Sequence, residues 1–198
     1  PKDNKEYMKH LTNEKQTIGD LKSFYNLMAQ TRDVRFEIVN DLISSRDIRK
    51  ENIAHLQNAL HSLEKSLVDG YKITLEIDGS DRIDVDVTYE VTELEKDIYY
   101  LEHNEDKFMF YLESLHPDFS THVQSGVALL KGKHFNCFIT DRDGTTYSYC
   151  GRYSSSVQSI YNAVFLTRFV QNAVSNPIFI TSAPIKNICI VDVSVIPD

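Results

Sequence analysis

The sequence predicts an α/β protein in which an N-terminal helical, coiled-coil-like module leads through a β-hairpin and helices to the first half of a parallel sheet. Three observations predict this fold class. The first 69 residues contain almost no Gly or Pro and repeat apolar residues at helical spacing. Residues 71–89 alternate apolar and polar residues around a turn. The last third places short apolar runs on both sides of a helical stretch, as in a βα unit.

The first segment, residues 1–69, is predicted to be a helical hairpin or bundle module. Ser44–Asp47 looks like a break followed by a new helix start. After it, apolar residues repeat over two heptads, which is the a/d pattern of a helical hairpin or short coiled coil. An antiparallel bundle within one chain fits equally well. The seam either packs internally or forms a dimer or partner-docking face; its residues are Ile53, Leu56, Leu60, Leu63 and Leu67.

The second segment, residues 70–132, is predicted to hold a β-hairpin and helices. Residues 71–77 and 82–89 are the two predicted strands, with a turn at Asp78-Gly79-Ser80-Asp81 between them. Residues 91–115 return to helical spacing and are predicted as one helix, which ends at His116-Pro117-Asp118. Residues 118–131 are predicted as another short helix.

The third segment, residues 133–198, is predicted to begin a parallel sheet. His134–Thr140 is the first expected strand, a helix is expected at about 154–173, and Pro177–Thr181 and Ile188–Val195 are two further strands of the buried type. Strand, loop, helix and strand in this order are typical of doubly wound α/β domains.

Composition narrows the function classes. The net charge of −8 argues against a nucleic-acid binder, which would usually present a basic face, and weakly against docking on anionic membranes. No apolar run approaches 18 residues, so no transmembrane span is expected. The three cysteines form no CxxC pair, which favours a reducing cytoplasm over a disulfide framework or zinc site. Cys137 and Cys189 lie in apolar runs and are expected to be buried.

The most informative stretch is the loop Asp141-Arg142-Asp143-Gly144-Thr145, called the DRDGT loop below. A hydrophobic strand delivers two carboxylates to its C-terminal end, where open α/β sheets bind ligands. Asp141 could attack a phosphoryl group, while Asp143 could protonate the leaving oxygen and then activate water. Gly144 lets the chain turn and bring backbone N–H groups to the phosphate. A divalent metal would keep the carboxylates and the phosphate from repelling each other.

This loop resembles the DxDGT nucleophile motif of the haloacid dehalogenase superfamily. The resemblance implies a Rossmann-like parallel sheet and a phosphatase in which Asp141 forms an aspartyl-phosphate and Asp143 is the general acid and base. It also implies Mg²⁺, held by the Asp141 carboxylate and the Asp143 main-chain carbonyl. Gly144 and Thr145 are expected at the phosphate, and the expected substrate is a small phosphate ester.

A second stretch resembles the second motif of the same superfamily, a strand that ends in Thr or Ser. Ile178-Phe179-Ile180-Thr181-Ser182 follows the first motif by about 40 residues. The resemblance implies that Thr181 hydrogen-bonds the transferring phosphate and that Ser182 assists. Its TSAP ending is similar to the sugar-phosphate branch, which includes trehalose-6-phosphate phosphatases. An N-terminal helical extension also occurs in eukaryotic members of that branch.

The chain departs from the superfamily pattern after Thr181. The Lys of the third motif and the acidic residues of the fourth should lie downstream, and Lys186 and Asp192 stand too close to the second motif for those roles. The resemblance thus covers residues 133–198, and a chain truncated after the second motif is expected. The rival hypothesis is a non-catalytic helical interaction or oligomerisation module, acting as a homo-oligomer or with a partner protein and carrying an incomplete phosphatase core.

Simpler interpretations of these motifs were also considered for the same residues. A calcium-binding EF-hand loop starting at Asp141 would need Glu at its twelfth position, but Arg152 stands there. An EF-hand is therefore excluded. A plain acidic turn after a strand remains open. Thr181 could be only a strand-end residue. Tyr147–Tyr153 could be a substrate-facing flap, with Arg152 meeting an anionic substrate, or a solvated loop.

Overall fold

A computed structural model describes residues 17–77, 79, 81–142, 144–146 and 158–181. Within these ranges the predicted α/β class is confirmed: a helical bundle precedes two small sheets. The elements, in chain order, are α1 (Leu21–Ile43), α2 (Lys50–Ser66), β1 (Leu67–Asp69), β2 (Lys72–Ile77), β3 (Asp81–Asp86), α3 (Thr88–Glu102), α4 (Glu105–Leu115), α5 (Phe119–Leu130), β4 (Phe138–Asp141), α6 (Ile160–Ala173) and β5 (Pro177–Ile180).

Helices α1 and α2 form the predicted helical hairpin. Asp20 caps α1, because its Oδ1 accepts the Ser23 N–H at 2.8 Å. The chain breaks at Ser44, as predicted, but α2 begins at Lys50 and not at Asp47. The heptad seam packs inside the chain, with Leu56 and Leu63 fully buried. Its last member, Leu67, begins β1 and is therefore outside the helix.

Strands β1, β2 and β3 form an antiparallel sheet in that order. Ile73 and Leu75 alternate with polar neighbours on β2 and are fully buried, while their partners on β3 are Val85 and Ile83. The hairpin is as predicted, but β3 stops at Asp86 and its expected last residue, Tyr89, belongs to α3. Asp86 Oδ1 accepts the Thr88 N–H at 2.9 Å, which favours starting the helix there.

The helix predicted over residues 91–115 is wrong in its continuity, since α3 and α4 are separate helices. The break falls at His103 and Asn104. Asn104 takes an extended backbone and its Oδ1 accepts the Lys107 N–H at 2.9 Å, so it caps α4. Apolar residues keep helical spacing across this cap, so the sequence pattern does not reveal the break between the two helices. The short helix predicted at 118–131 is confirmed as α5.

Strands β4 and β5 pair in parallel, and α6 lies between them in the chain, which confirms the predicted βα unit. The first strand starts at Phe138 and not at His134, and α6 starts at Ile160, later than the expected 154. The prediction that β4 and β5 are buried strands is wrong for the described residues, because Ile139, Ile178 and Ile180 are exposed. One face does pack: Phe138 meets Phe169 of α6 edge to face at 5.3 Å.

One cluster of buried side chains joins the bundle to α6. Helix α6 packs against α1, so Ile160 and Val164 share a core with Phe24 and Leu63. The expectation of a buried Cys137 is wrong, since this thiol is exposed, and Cys189 and the expected strand 188–195 lie outside the described residues. None of the helices that the structure describes has the length and apolar character needed to cross a bilayer.

Candidate phosphate site at the end of the parallel strands

The candidate nucleophile ends a strand at the edge where both parallel strands finish. Asp141 is the last residue of β4 and is exposed. Its register partner on β5 is Ile180, and Thr181 comes next. Parallel pairing therefore brings the ends of the two predicted motifs to one edge of the sheet.

The loop after Asp141 folds back on the strand. The N–H groups of Thr145 and Thr146 donate to the Arg142 carbonyl at 3.4 and 3.2 Å. Gly144 has φ +87°, a left-handed conformation that only glycine adopts without strain. The turn places Thr145 Oγ1 at 3.0 Å from Asp141 Oδ2, where it donates a hydrogen bond. This bond holds one oxygen of the candidate nucleophile in place.

Arg142 was not singled out from the sequence, although it lies between the two aspartates. It directly follows β4 and is 1% exposed, whereas Asp141 is exposed, so the alternation of faces along the strand continues one residue beyond its end. Its backbone N–H donates to the Ile180 carbonyl at 2.9 Å, and its Nη1 makes a long hydrogen bond of 3.5 Å to Thr181 Oγ1. The strand alternation was the signal that could have identified Arg142 as a link between the two motifs.

Asn162 was also missed. It lies in the first turn of α6, and its Nδ2 donates to the Thr146 carbonyl at 2.5 Å. Gln158 in turn donates to Asn162 Oδ1 at 2.6 Å. The amide thus ties the chain just after the DRDGT loop to the start of the next helix. No motif in the sequence indicates this contact, because it depends on where α6 begins.

The described residues fit a hard divalent cation in kind but supply only part of its coordination. The exposed Asp141 carboxylate offers oxygen ligands of the type that Mg²⁺ prefers. Across the parts of the chain that the structure covers, no three His, Cys, Asp or Glu side chains converge on a metal position. Asp143, the second expected ligand, lies outside those parts, as do Ser182 and the expected flap Tyr147–Tyr153 with Arg152.

A cavity of about 620 Å³ adjoins the loop. Its walls come from α4, α5 and α6 and from Thr145 and Thr146. Most of its lining is aromatic or aliphatic, and Glu105 and Asp106 also line it. Glu105 is paired with Arg168 at 2.6 Å. The volume lies in the range of small-molecule sites.

Residues 20–120 match the family described as the trehalose-6-phosphate phosphatase N-terminal helical bundle domain. Residues 138–198 match the family described as trehalose-6-phosphate phosphatase, C-terminal. The two matches cover the bundle and the strand-helix-strand unit that carries the DRDGT loop.

Similar proteins occur in nematodes. The chain is 33% identical over 207 residues to UDP-forming alpha,alpha-trehalose-phosphate synthase 2 of Aphelenchoides avenae, covering 96% of the chain and 16% of that protein. It is 33% identical over 196 residues to the synthase 2 of Caenorhabditis elegans, covering 91% of the chain and 16% of the relative. A trehalose-phosphatase of Brugia malayi is 26% identical over 212 residues, 92% of the chain and 42% of the relative. The chain thus spans about a sixth of each synthase and about two fifths of the phosphatase.

Proposed function

The chain belongs to the trehalose-6-phosphate phosphatase family. From that premise we propose that it supplies the nucleophile and the phosphate-binding residues of a phosphomonoester hydrolase. The observation that carries the proposal is the common edge reached by Asp141 and Thr181 at the ends of paired parallel strands. An exposed carboxylate and a hydroxyl at that edge are suited to attack and bind one phosphoryl group.

The proposed reaction has two steps. An Asp141 carboxylate oxygen attacks phosphorus, the bond to the sugar oxygen breaks, and Asp143 gives its proton to that leaving oxygen. Water then attacks the phosphorus of the aspartyl-phosphate while Asp143 takes its proton, which releases inorganic phosphate, frees the Asp141 carboxylate and leaves Asp143 protonated as at the start. The hydrogen bond from Thr145 to Asp141 Oδ2 supports this role, because it orients the carboxylate before attack.

The groups that bind the phosphate are proposed to come from the ends of both strands. Thr181 would donate its hydroxyl to a phosphoryl oxygen, with Ser182 assisting. The left-handed Gly144 allows the loop to present backbone N–H groups to the same phosphate. Mg²⁺, held by the Asp141 carboxylate and the Asp143 carbonyl, would supply neutralising charge between the carboxylate and the phosphate.

The proposed substrate is a sugar phosphate, with trehalose 6-phosphate first to be tested. The names of the matching families and of the Brugia malayi relative support this choice. The cavity beside Thr145 is large enough for a sugar. We place the activity in the cytoplasm, where an exposed thiol such as that of Cys137 would stay reduced.

The experiment is phosphate release from trehalose 6-phosphate with Mg²⁺, using the chain together with any native sequence that follows it. Asp141→Asn should abolish release, and EDTA should suppress it. Asp69→Asn is the matched control, because Asp69 is an exposed carboxylate at a strand end of the other sheet. Release that is unchanged by Asp141→Asn would contradict the proposal.

A second function is favoured by one specific observation: the relatives at 32–34% identity over nearly the whole chain are named synthases, while the Brugia malayi phosphatase is 26% identical. The chain could then be a non-catalytic bundle and phosphatase-like segment within a larger synthase, acting through homo-oligomer or partner contacts. Under this function the extended protein releases no phosphate, and it self-associates or binds a partner in sedimentation.

A further inference from the structure

We propose that the helical bundle positions the DRDGT loop, and that Asp97 is the positioning residue through which it does so. The inference rests on the proposed function, since it assigns the bundle a part in the same phosphate site. It goes beyond that function by connecting α1 and α3 to the loop through hydrogen bonds that meet at the first turn of α6. Asp97 itself touches no reacting atom.

The first link is the capping of α6 by a residue of another helix. Asp97 on α3 is fully buried, and its Oδ1 accepts the Ile160 N–H at 2.7 Å. The residue before α6, Ser159, makes no capping hydrogen bond with its side chain. The first N–H groups of a helix have no partner inside that helix, and a negative charge there is favoured by the helix dipole. Asp97 thus fixes where α6 starts.

The second link anchors Asp97 to α1. Its Oδ2 accepts from Arg35 Nε at 2.6 Å, and Arg35 is itself 6% exposed. Buried ion pairs add little stability compared with apolar pairs of the same shape, because both charges lose their hydration. Their best attested use is to fix one arrangement over another. Here the pair fixes the rotamer of the carboxylate that caps α6.

The third link runs from α6 to the candidate nucleophile. Asn162, two residues after Ile160, donates to the Thr146 carbonyl at 2.5 Å. Thr146 and Thr145 both donate to the Arg142 carbonyl, and Thr145 Oγ1 donates to Asp141 Oδ2. A shift of the first turn of α6 therefore moves Asn162, the loop and the Asp141 carboxylate together.

The test is hydrogen exchange of the backbone amides of residues 144–146 and 160–162, which requires no catalysis. Asp97→Asn keeps an acceptor oxygen but removes the charge that pairs with Arg35 and faces the N-terminus of α6, so it should speed exchange at Ile160 and in the loop by about fivefold or more. Asp20→Ala is the matched control, because Asp20 caps α1. It should leave loop exchange unchanged after correction for global stability. Equal loop exchange in Asp97→Asn and wild type would overturn the proposal.

A second variant covers the case in which Asp97→Asn fails to fold. Arg35→Met combined with Asp97→Leu removes the ion pair without leaving a buried charge and still deletes the cap. Loop exchange should again be faster. Asn162→Ala added to either variant should produce little further change, because both act through one path, whereas independent effects would add. Additive effects would overturn the proposal.

Activity provides a separate readout. In an active extended protein, Asp97→Asn should lower kcat by about fivefold or more with little change in KM, since the loop is misplaced but the cavity is intact. Altered loop exchange in a protein without phosphatase activity supports positioning and contradicts the proposed function. Phosphatase activity with unaltered loop exchange contradicts positioning alone.

Discussion

Asp141 lies opposite Ile180 in the parallel register of β4 and β5, and the backbone N–H of Arg142 donates to the Ile180 carbonyl at 2.9 Å. This pairing places Thr181 at the same sheet edge as the candidate nucleophile. The pairing of β4 with β5 thus brings together two motifs that are far apart in the sequence. A site built in this way is positioned by backbone hydrogen bonds, so it tolerates no slip in register.

Thr181 is expected to contribute through its hydroxyl. Thr181→Val keeps the shape and removes the donor, and it should lower kcat/KM by about tenfold or more, the range for a hydrogen bond to a charged group. Thr181→Ser retains the hydroxyl and should stay close to wild type. Steady-state phosphate release from trehalose 6-phosphate measures both. A wild-type rate in Thr181→Val would show that the hydroxyl contributes nothing to the reaction.

Gly144 and Gly79 form a matched pair for backbone strain. Their φ angles are +87° and +89°, and an added Cβ would meet nothing within 4 Å at either position. Alanine at each should therefore cost about 1 kcal/mol of stability through strain alone. Gly144→Ala should also lower phosphate release, because the DRDGT loop shifts, while Gly79→Ala in the distant hairpin should not. Denaturant unfolding and the phosphate assay separate the two effects.

Asp97 is expected to give stability an unusual pH dependence. Burial raises the pKa of Asp97 to about 6 from an ordinary value near 3.8; the Arg35 charge lowers it, Glu93 raises it and the Ile160 N–H lowers it. Between these pH values the native state binds more protons than the unfolded state. The stabilisation is therefore complete below about pH 4 and is lost as the pH rises through 6, at no more than about 1.4 kcal/mol per pH unit.

The measurement is the free energy of unfolding of wild type minus that of Asp97→Asn, which should fall from pH 4 to pH 6 and then level off. Asp20→Asn is the opposite control. Hydrogen bonds from Ser23 lower the pKa of Asp20, so its contribution is present above the ordinary Asp pKa and is lost as the pH falls. A difference for Asp97 that grows between pH 4 and 6 would mean that the attraction of Arg35 outweighs burial.

The heptad seam is expected to stabilise the monomer. Leu63 is fully buried, so Leu63→Ala should cost about 2–5 kcal/mol in denaturant unfolding. Leu129→Ala removes the same atoms from a side chain that is 65% exposed, and it should change stability by less than about 0.5 kcal/mol. Because the seam is internal, the thermal midpoint should not depend on protein concentration. A midpoint that rises with concentration would favour the oligomerisation hypothesis.

Much of the fold could be predicted because local pattern and burial agree. The two-heptad seam, the alternation around Gly79 and the βα order all follow from side chains that must reach a core. The separation of α3 from α4 could not be predicted in this way. In the sequence, Asn104 looks like a polar residue inside a helix, because apolar spacing continues on both sides. Only the structure shows that its side chain accepts the Lys107 N–H and caps α4.

The candidate site was predictable only where it is contained in a short motif. Asp141 and Gly144 belong to one loop, and Thr181 ends a recognisable strand. Asn162 and Asp97 act across 16 and 63 residues of sequence, and they are seen only once α6 is placed against the loop and the bundle. Contacts of this kind follow from packing and leave no local pattern.

The most direct measurement is rapid acid quench of the extended protein during turnover of trehalose 6-phosphate, followed by mass spectrometry of the peptide that contains residues 138–146. The account predicts one added phosphoryl group on Asp141 in wild type and none in Asp141→Asn, which also releases no phosphate. Phosphate release without phosphorylation of this peptide, or with the phosphoryl group on another residue, would contradict the account.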